Sequence, residues 1–233
     1  MFYFIRKKIV VDCFINLPFV AEKFPIQRGL KSAPGWWKGL SPTYEKVNTN
    51  FGISRDAPTM KFCRGFIDLY RNSWTLPLWT DLVLKTFGTG AYQFLIPYSS
   101  STELISQHAE EEHGRSFNEF IHLKLGSPWL LFEKKGIKFS YFGADWSLLQ
   151  QQPKIRVLSG VLEFEKNHST NVNMFVPKED SSYNLQAGLP LVHIVPLTER
   201  KVEFRTQCVT DAEYREIAKR TAMGKTTFWF KPN

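Results

Sequence analysis

The sequence has few cysteines, and none of them is paired by spacing. Its three cysteines, Cys13, Cys63 and Cys208, lie far apart, and none belongs to a Cys-x-x-Cys pair. An odd and scattered set argues against a disulfide framework and against a structural zinc site. We therefore expect a protein of a reducing compartment.

Long apolar runs are also lacking. No stretch approaches the ~20 consecutive apolar residues that span a bilayer. The N-terminal segment MFYFIRKKIVVDCFINLPF mixes basic and apolar residues as a signal peptide does. However, Asp12 and Asn16 interrupt its apolar run, and no small-residue cleavage site follows. We expect a soluble protein that has no membrane partner and is not secreted by a signal peptide.

Catalytic signatures are missing as well. The chain has no Gly-rich phosphate loop, no Ser nucleophile elbow, no protein-kinase signature and no dinucleotide fingerprint. His108, Glu111, Glu112 and His113 resemble a set of metal ligands. The two histidines are five residues apart, about 500° around a helix, and so do not share a helical face. We predict an exposed acidic loop at this place, no metal site and no cofactor.

Acidic residues are fewer than basic ones. The 30 Lys and Arg against 22 Asp and Glu give a net charge of +8 and a pI of about 9.3. Such an excess raises the expectation of a polyanionic partner such as nucleic acid. The basic residues are nevertheless spread along the chain, and a diffuse excess is more typical of a solvated surface than of a phosphate-binding stripe.

Many segments of the sequence have patterns that are typical of β-strands. Five segments outside the central stretch have β-branched, aromatic or alternating residues: Ile9–Ile15, Trp74–Leu84, Tyr92–Ile96, Pro128–Phe142 and Lys201–Cys208. Gly88-Thr89-Gly90 predicts a hairpin between the second and the third segments. Lys134-Lys135-Gly136 predicts another hairpin within the fourth segment. Phe117–Leu125 is either strand-like or irregular.

Residues 32–58 are rich in Gly and Pro and predict an irregular segment. Trp36 and Trp37 within it have two interpretations. They could stack on a base or a sugar, but a tryptophan pair in a loop more often pins that loop to a core. The next segment, Met60–Asn72, predicts one or two turns of helix.

The best-signalled helix comes last. Thr210 and Glu213 have the spacing of a capping box, and Gly224 predicts the end of the helix. The aromatic residues Phe228, Trp229 and Phe230 follow, and they should dock on the protein itself or on a partner subunit.

The stretch from Ser159 to Pro196 predicts three strands joined by two polar connections. Val172, Met174 and Val176 alternate with Asn171, Asn173 and Phe175, as in a strand with one buried face. Ala187-Gly188 predicts a turn that uses the conformational freedom of glycine, and an almost wholly apolar strand, Leu189–Val195, follows.

This stretch resembles two linked motifs of the trimeric dUTPase family. Gly160-Val161-Leu162-Glu163 is similar to the first motif, and Gly188-Leu189-Pro190-Leu191-Val192-His193 to the second. The resemblance implies a β-roll, association into trimers, and Glu163 at the place of the aspartate that prepares the attacking water, with Mg²⁺ in support. The family's tyrosine falls near Lys166 and its glutamine at His193. Its Arg-Ser-Gly phosphate motif and its Gly-rich C-terminal arm are absent.

The chain as a whole resembles an uncharacterised family encoded by tailed bacteriophages, including marine ones. The residues that carry this resemblance are KSAPGWWKGL, CRGFIDLYRNSWTLPLWTDL, SPWLLF and AGLPLVHIVPL. Together with the missing catalytic motifs and an aromatic content of 15%, it favours a non-enzymatic binding or assembly protein of the host cytoplasm or the virion. The alternative is a divergent dUTPase-like nucleotide-binding protein or pyrophosphatase.

These patterns predict a mainly β fold in a single domain, a β-sandwich or dUTPase-like β-roll with one C-terminal helix. Residues 1–58 would form an N-terminal strand and an irregular segment, 59–209 the β-core, and 210–233 the helix and aromatic tail. We expect a homo-oligomer with the tail at or near its interface. The candidate site residues are Glu163 as a general base and His168, Asn171, Asn173, His193, Trp36 and Trp37 as ligand-binding residues. His193 stands in an apolar strand, where a lone histidine is more often a core residue satisfied by one hydrogen bond than a ligand.

Overall fold

A computed structural model describes residues 8–48, 52–96, 104–114 and 116–228, with side chains described except at 48, 53 and 220–228. The protein is mainly β, with 41% strand and 23% helix, and its several sheets are consistent with the β-sandwich class. The predicted fold class is therefore confirmed at this level. Within the described residues no helix is long and apolar enough to cross a membrane.

The described chain contains seventeen strands. They are β1 (Ile9–Ile15), β2 (Gln27–Arg28), β3 (Thr43–Asn48), β4 (Ile53–Pro58), β5 (Trp74–Pro77), β6 (Leu82–Thr86), β7 (Tyr92–Leu95), β8 (Ile105–Gln107), β9 (Phe120–Leu125), β10 (Leu130–Phe132), β11 (Lys138–Gly143), β12 (Arg156–Val157), β13 (Gly160–Glu163), β14 (Val172–Pro177), β15 (Ser181–Leu185), β16 (Pro190–Pro196) and β17 (Val202–Cys208).

Helices are more numerous than the sequence predicted. They are α1 (Pro18–Lys23), α2 (Gly35–Lys38), α3 (Arg64–Asn72), α4 (Asp145–Gln151) and α5 (Asp211–Phe228), with short 3₁₀ turns at Gly29–Ser32, Met60–Phe62 and Glu110–His113. The helical segment predicted at 60–72 is confirmed as a 3₁₀ turn followed by α3. The other short helices connect strands and have too few residues to show a helical period.

The described strands form five sheets. Their strand orders are β10-β1-β17, β13-β11-β16-β5-β2, β12-β14-β9-β8, β15-β6-β7 and β3-β4. The strands of the Ser159–Pro196 stretch number four, not three, and they are distributed over three of these sheets. This stretch therefore connects three of the sheets.

The core is built by alternation along the strands. In β1, Ile9, Val11, Cys13 and Ile15 are buried while the residues between them are half-exposed. In β14 the predicted alternation is also confirmed, since Val172, Met174 and Val176 are buried. Such alternation buries one face of each strand and leaves the other face at the surface. Burial also raises the pKa of the Cys13 thiol, so this cysteine stays a protonated core residue.

Strand β1 lies in the middle of its sheet. It pairs antiparallel with β10 and parallel with β17, with Ile9 opposite Val202 and Ile15 opposite Cys208. The first and the last of the described strands are therefore neighbours in one sheet. An ion pair between Arg205 and Asp12, 2.7 Å from Nη2 to Oδ1, joins the exposed face of these two strands.

The predicted hairpin at Pro128–Phe142 is wrong. Its first strand, β10, pairs with β1, whereas its second strand, β11, pairs with β13 and β16 in another sheet. The turn between them is closed by the buried carboxylate of Glu133, which accepts hydrogen bonds from the backbone N–H of Lys135 at 2.6 Å and of Ile137 at 2.9 Å. Gly136 takes a positive φ of 61° in this turn. The turn therefore carries the chain from one sheet to the next.

The prediction of a single strand at Trp74–Leu84 is also wrong, because this segment contains parts of two strands that belong to different sheets. β5 pairs with β16 and β6 with β15 and β7. Between them, Leu78 exchanges backbone hydrogen bonds with the turn at Gly188 and Leu189. The hairpin between β6 and β7 and the positive φ of Gly188, 87°, are as predicted.

The C-terminal helix begins as predicted. The Glu213 carboxylate accepts from the backbone N–H of Thr210 at 2.9 Å, and Thr210 Oγ1 accepts from the backbone N–H of Glu213 at 3.3 Å. The predicted end at Gly224 is wrong, because α5 continues to Phe228. Of the predicted aromatic tail, Phe228 is the last residue of α5, whereas Trp229, Phe230 and the predicted interface lie outside the described residues.

Candidate functional site

The hairpin of β3 and β4, residues 43–58, lies apart from the other sheets, and we call it the arm. The sequence predicted an irregular segment here, which is wrong: the two strands pair in regular register from Thr43 opposite Pro58 to Asn48 opposite Ile53. No other described strand pairs with either of them. Nearly all described side chains of the arm are exposed, including those of Tyr44 and Val47 at 50% and 59%.

The register of the arm separates its charges by face. Glu45 lies directly opposite Asp56, and Lys46 lies directly opposite Arg55. Residues that are directly opposite share a face, and successive residues of a strand point to opposite faces. The acidic face of the arm consists of Thr43, Glu45, Val47, Ser54, Asp56 and Pro58. Among the residues whose side chains are described, the basic face consists of Tyr44, Lys46, Arg55 and Ala57.

The arm joins the protein at a narrow base. The backbone N–H of Thr59 donates to the carbonyl of Pro42 at 3.0 Å, and the Thr59 hydroxyl donates to the carbonyl of Ser41 at 2.5 Å. These bonds bring the two ends of the arm together, one residue outside each strand. The base therefore holds the hairpin without burying either of its faces.

The predicted candidates Trp36 and Trp37 support this base. Their rings pack on Phe66 of α3, with ring centroids 5.7 and 5.0 Å away. Each indole N–H donates to a backbone carbonyl, that of Trp36 to Trp146 at 3.2 Å and that of Trp37 to Met60 at 3.1 Å. Both rings are half-buried and both polar atoms are satisfied. The pair thus pins the segment before the arm to the body of the protein.

His193 lies behind the same aromatic cluster, on β16. It is 1% exposed, and its ring meets the ring of Tyr70 edge-on at 5.0 Å. Its Nδ1 is 3.3 Å from the hydroxyl of Thr75, which itself accepts a hydrogen bond from Ser32 at 2.7 Å. Nε2 is buried and has no hydrogen-bond partner in the described protein. Burial lowers the pKa of His193 to about 4, so the ring is neutral near pH 7.

Glu163 lies at the end of β13 near the surface. Its carboxylate forms an ion pair with Lys166 and a second ion pair with Lys138, whose Nζ lies 3.9 Å from Glu163 Oε1. The hydrogen bond from Lys166 lowers the pKa of Glu163. A carboxylate with a lowered pKa is a weaker proton acceptor than an ordinary one. In this arrangement Glu163 is a surface ion-pair partner.

The remaining three candidates contact the backbone or lie within strands. His168 is buried, with Nδ1 2.9 Å from the carbonyl of Phe164 and 3.1 Å from that of Leu131. Asn171 accepts from the backbone N–H of Ser127 at 3.4 Å. Asn173 lies in β14, and its buried Oδ1 has no partner in the described protein. The sequence candidates thus contact different parts of the fold and do not converge on one site.

A group of three histidines forms where the sequence predicted only an acidic loop. The ring of His108 stacks on that of His122 at 4.2 Å, and His113 is 6.0 Å from His122. His108 Nδ1 is 2.7 Å from the carboxylate of Glu112. His122 was missed because it lies in β9, distant in sequence. Within the residues described, no group of three or more His, Cys, Asp or Glu is arranged to hold a metal ion.

A basic pocket of about 480 Å³ lies beside the connection between β16 and β17. Arg28, Arg200 and Lys201 line it together with Glu199, and the guanidinium of Arg28 lies 4.5 Å over the ring of Trp74. Basic residues that are far apart in the sequence therefore lie close together at this pocket.

Comparisons of this chain with protein families, curated proteins and solved structures find no match. Among the described sheets, the arm is the two-stranded one, and nearly all of its described side chains are exposed.

Proposed function

We propose that this chain is a non-enzymatic binding protein in a macromolecular assembly and that the arm is its contact surface. The observation that carries the proposal is that the arm exposes both of its faces. The resemblance to tailed-bacteriophage proteins supports a phage source, with the host cytoplasm or the virion as the place of action. Hydrolysis of nucleotides at Glu163 with Mg²⁺, the alternative, stays a prediction.

An exposed hairpin is a poor structure for a protein to maintain without a partner. A two-stranded hairpin is only marginally stable in water, because it lacks a third strand or a packed face. It also leaves unpaired N–H and C=O groups along both outer edges, which are available to another chain. A partner that covers one face or one edge would stabilise the arm, and association is therefore the function that this geometry favours.

The base prepares the arm for such a contact. Trp36 and Trp37 fix the segment before it, and the hydrogen bonds of Thr59 fix its two ends. An element that is already held in its binding conformation loses less conformational entropy when it binds. The arm is thus presented on a rigid support.

Site-specific photo-crosslinking tests the proposal. A photoreactive residue at Val47 on the arm is compared with one at Val161 on β13, since both side chains are 59% exposed. In cells producing the full chain, we expect discrete crosslinked products from position 47 and few from position 161. The proposal is wrong if position 47 gives no product or if both positions give the same ones.

Removal of the arm gives a second prediction. Replacing residues 43–58 by a short Gly-Ser linker between Pro42 and Thr59 should leave the rest of the protein folded, because the arm buries no face against it. We expect the thermal midpoint to change by less than about 3 °C, which corresponds to roughly 1 kcal/mol in a protein of this size. Differential scanning calorimetry measures it, and a much larger fall would show that the arm is part of the folding core.

A further inference from the structure

The two faces of the arm carry opposite charge, and this arrangement is unfavourable for an isolated hairpin. Like charges directly opposite each other on neighbouring strands destabilise a sheet. The arm has two such pairs, Glu45 with Asp56 and Lys46 with Arg55. Among the described residues, no ion pair involves Asp56, Lys46 or Arg55. The arm therefore holds two carboxylates on one face and two cations on the other, all exposed.

We propose that the arm of one molecule binds the arm of a second copy of this chain, with the acidic face of one arm lying on the basic face of the next. This inference rests on the proposed function and names the partner of the same surface. Stacked β-sheets pack about 10 Å apart, face to face, a distance that side chains from both faces span. In that arrangement Glu45 and Asp56 of one copy meet Lys46 and Arg55 of the other.

A second copy fits the arm better than a partner of one charge sign. A polyanion such as nucleic acid would satisfy Lys46 and Arg55 but would leave the acidic pair in an unfavourable position. A polycation would do the reverse. Copies of the chain stacked on both sides of an arm satisfy all four charges, because each copy carries one acidic and one basic face. Tyr44 on the basic face and Val47 on the acidic face add apolar area to the contact.

The geometry of this contact also determines what kind of assembly results. When the acidic face of one arm lies on the basic face of the next, each end of the pair still has one free face. Such head-to-tail contacts continue until they close into a ring or extend as a filament. We therefore expect complexes larger than a dimer at high protein concentration. Because the contact depends on exposed charges, it should weaken as salt is added.

Paired charge reversal tests the inference on the full chain. One variant, K46E/R55E, makes both faces acidic, and the other, E45K/D56K, makes both faces basic. Each variant keeps like charges opposite each other on both faces, so the cross-strand repulsion on each face is matched to that of the natural sequence, although the four charges now share one sign. By sedimentation velocity at low salt, we expect each variant alone to associate at least about tenfold more weakly than the natural chain, given the loss of two charge pairs.

Two restorations make the test specific. An equal mixture of the two variants should associate again, because the acidic faces of one variant can lie on the basic faces of the other. The variant with all four reversals should associate with itself, because its faces are exchanged but remain complementary. A general loss of folding in the arm would restore neither. Association that is unaffected by the single-face variants, or that returns in neither restoration, overturns the inference.

The outcome is distinguishable from failure of the proposed function. If the natural chain alone stays monomeric up to its solubility limit, the inference is wrong. Crosslinks from position 47 to a different protein would then still support an assembly arm with another partner. If position 47 gives crosslinks between copies of this chain and the reversal pattern holds, both proposals are supported.

Discussion

Lowering the pH from 7.5 to 5 should destabilise the natural protein by about 2 kcal/mol through His193 alone. The pKa of this residue is lowered from 6.5 to about 4 in the folded protein by burial. The unfolded chain therefore takes up a proton before the folded protein does. The contribution of His193 to stability is complete above the unfolded pKa and is lost progressively as the pH falls from about 6.5 toward 4.

Urea unfolding at the two pH values measures this effect. In His193→Gln, which cannot titrate, we expect the pH-dependent loss to shrink by about 2 kcal/mol relative to the natural protein. Thr75→Val is the matched control, since it removes the hydroxyl beside Nδ1 and keeps the imidazole buried. His122, whose pKa is lowered by burial and then by the neighbouring His108 and His113, leaves some pH dependence in every variant. Equal pH dependence in His193→Gln and the natural protein would contradict this account.

Local patterns in the sequence predicted individual strands well. The bounds of β1 were predicted to the residue and those of β17 to within one residue, because alternation and β-branched composition depend only on neighbouring positions. Their parallel pairing could not be predicted in the same way. It joins residues 193 positions apart, such as Ile9 and Val202, and no local pattern carries such information.

The arm was missed for a related reason. Its strands are short and charged, and their exposed faces show no alternation between apolar and polar residues. The Gly and Pro residues around them therefore predict an irregular segment over residues 32–58. A signal was nevertheless present, because Glu45-Lys46 and Arg55-Asp56 have opposite charge order in sequence. In an antiparallel hairpin of this register, that order places like charges together on each face.

For the candidate residues, the sequence predicted the class of environment better than the site. For His193 the sequence offered a core position as one interpretation, and the residue is buried with one hydrogen-bond contact. For Trp36 and Trp37 one interpretation was that they hold their loop against the core, and both rings pack against Phe66. Which of these residues approach each other depends on the pairing of distant strands, and composition alone does not determine that pairing.

One side chain, that of Glu133, explains why Pro128–Phe142 does not form a hairpin. A hairpin turn needs no buried acid, but here the carboxylate of Glu133 is 1% exposed and accepts two backbone hydrogen bonds. Each hydrogen bond to a charged group contributes about 1.5–3 kcal/mol. Since the donors are only partly buried and can reach water once the acid is removed, we expect Glu133→Ala to lower the free energy of unfolding by about 3 kcal/mol.

The free energy of unfolding of Glu133→Gln should lie between those of Glu133→Ala and the natural protein. The amide has one carbonyl oxygen and can accept only part of the hydrogen bonding that two carboxylate oxygens accept. Glu165→Ala is the matched control, since Glu165 is an exposed acid near the same turn and should change stability by less than about 0.5 kcal/mol. Urea unfolding at neutral pH gives all three values. If Glu133→Ala and Glu165→Ala are equally stable, then the turn between β10 and β11 is fixed by the pairing of the two strands in their separate sheets and not by this carboxylate.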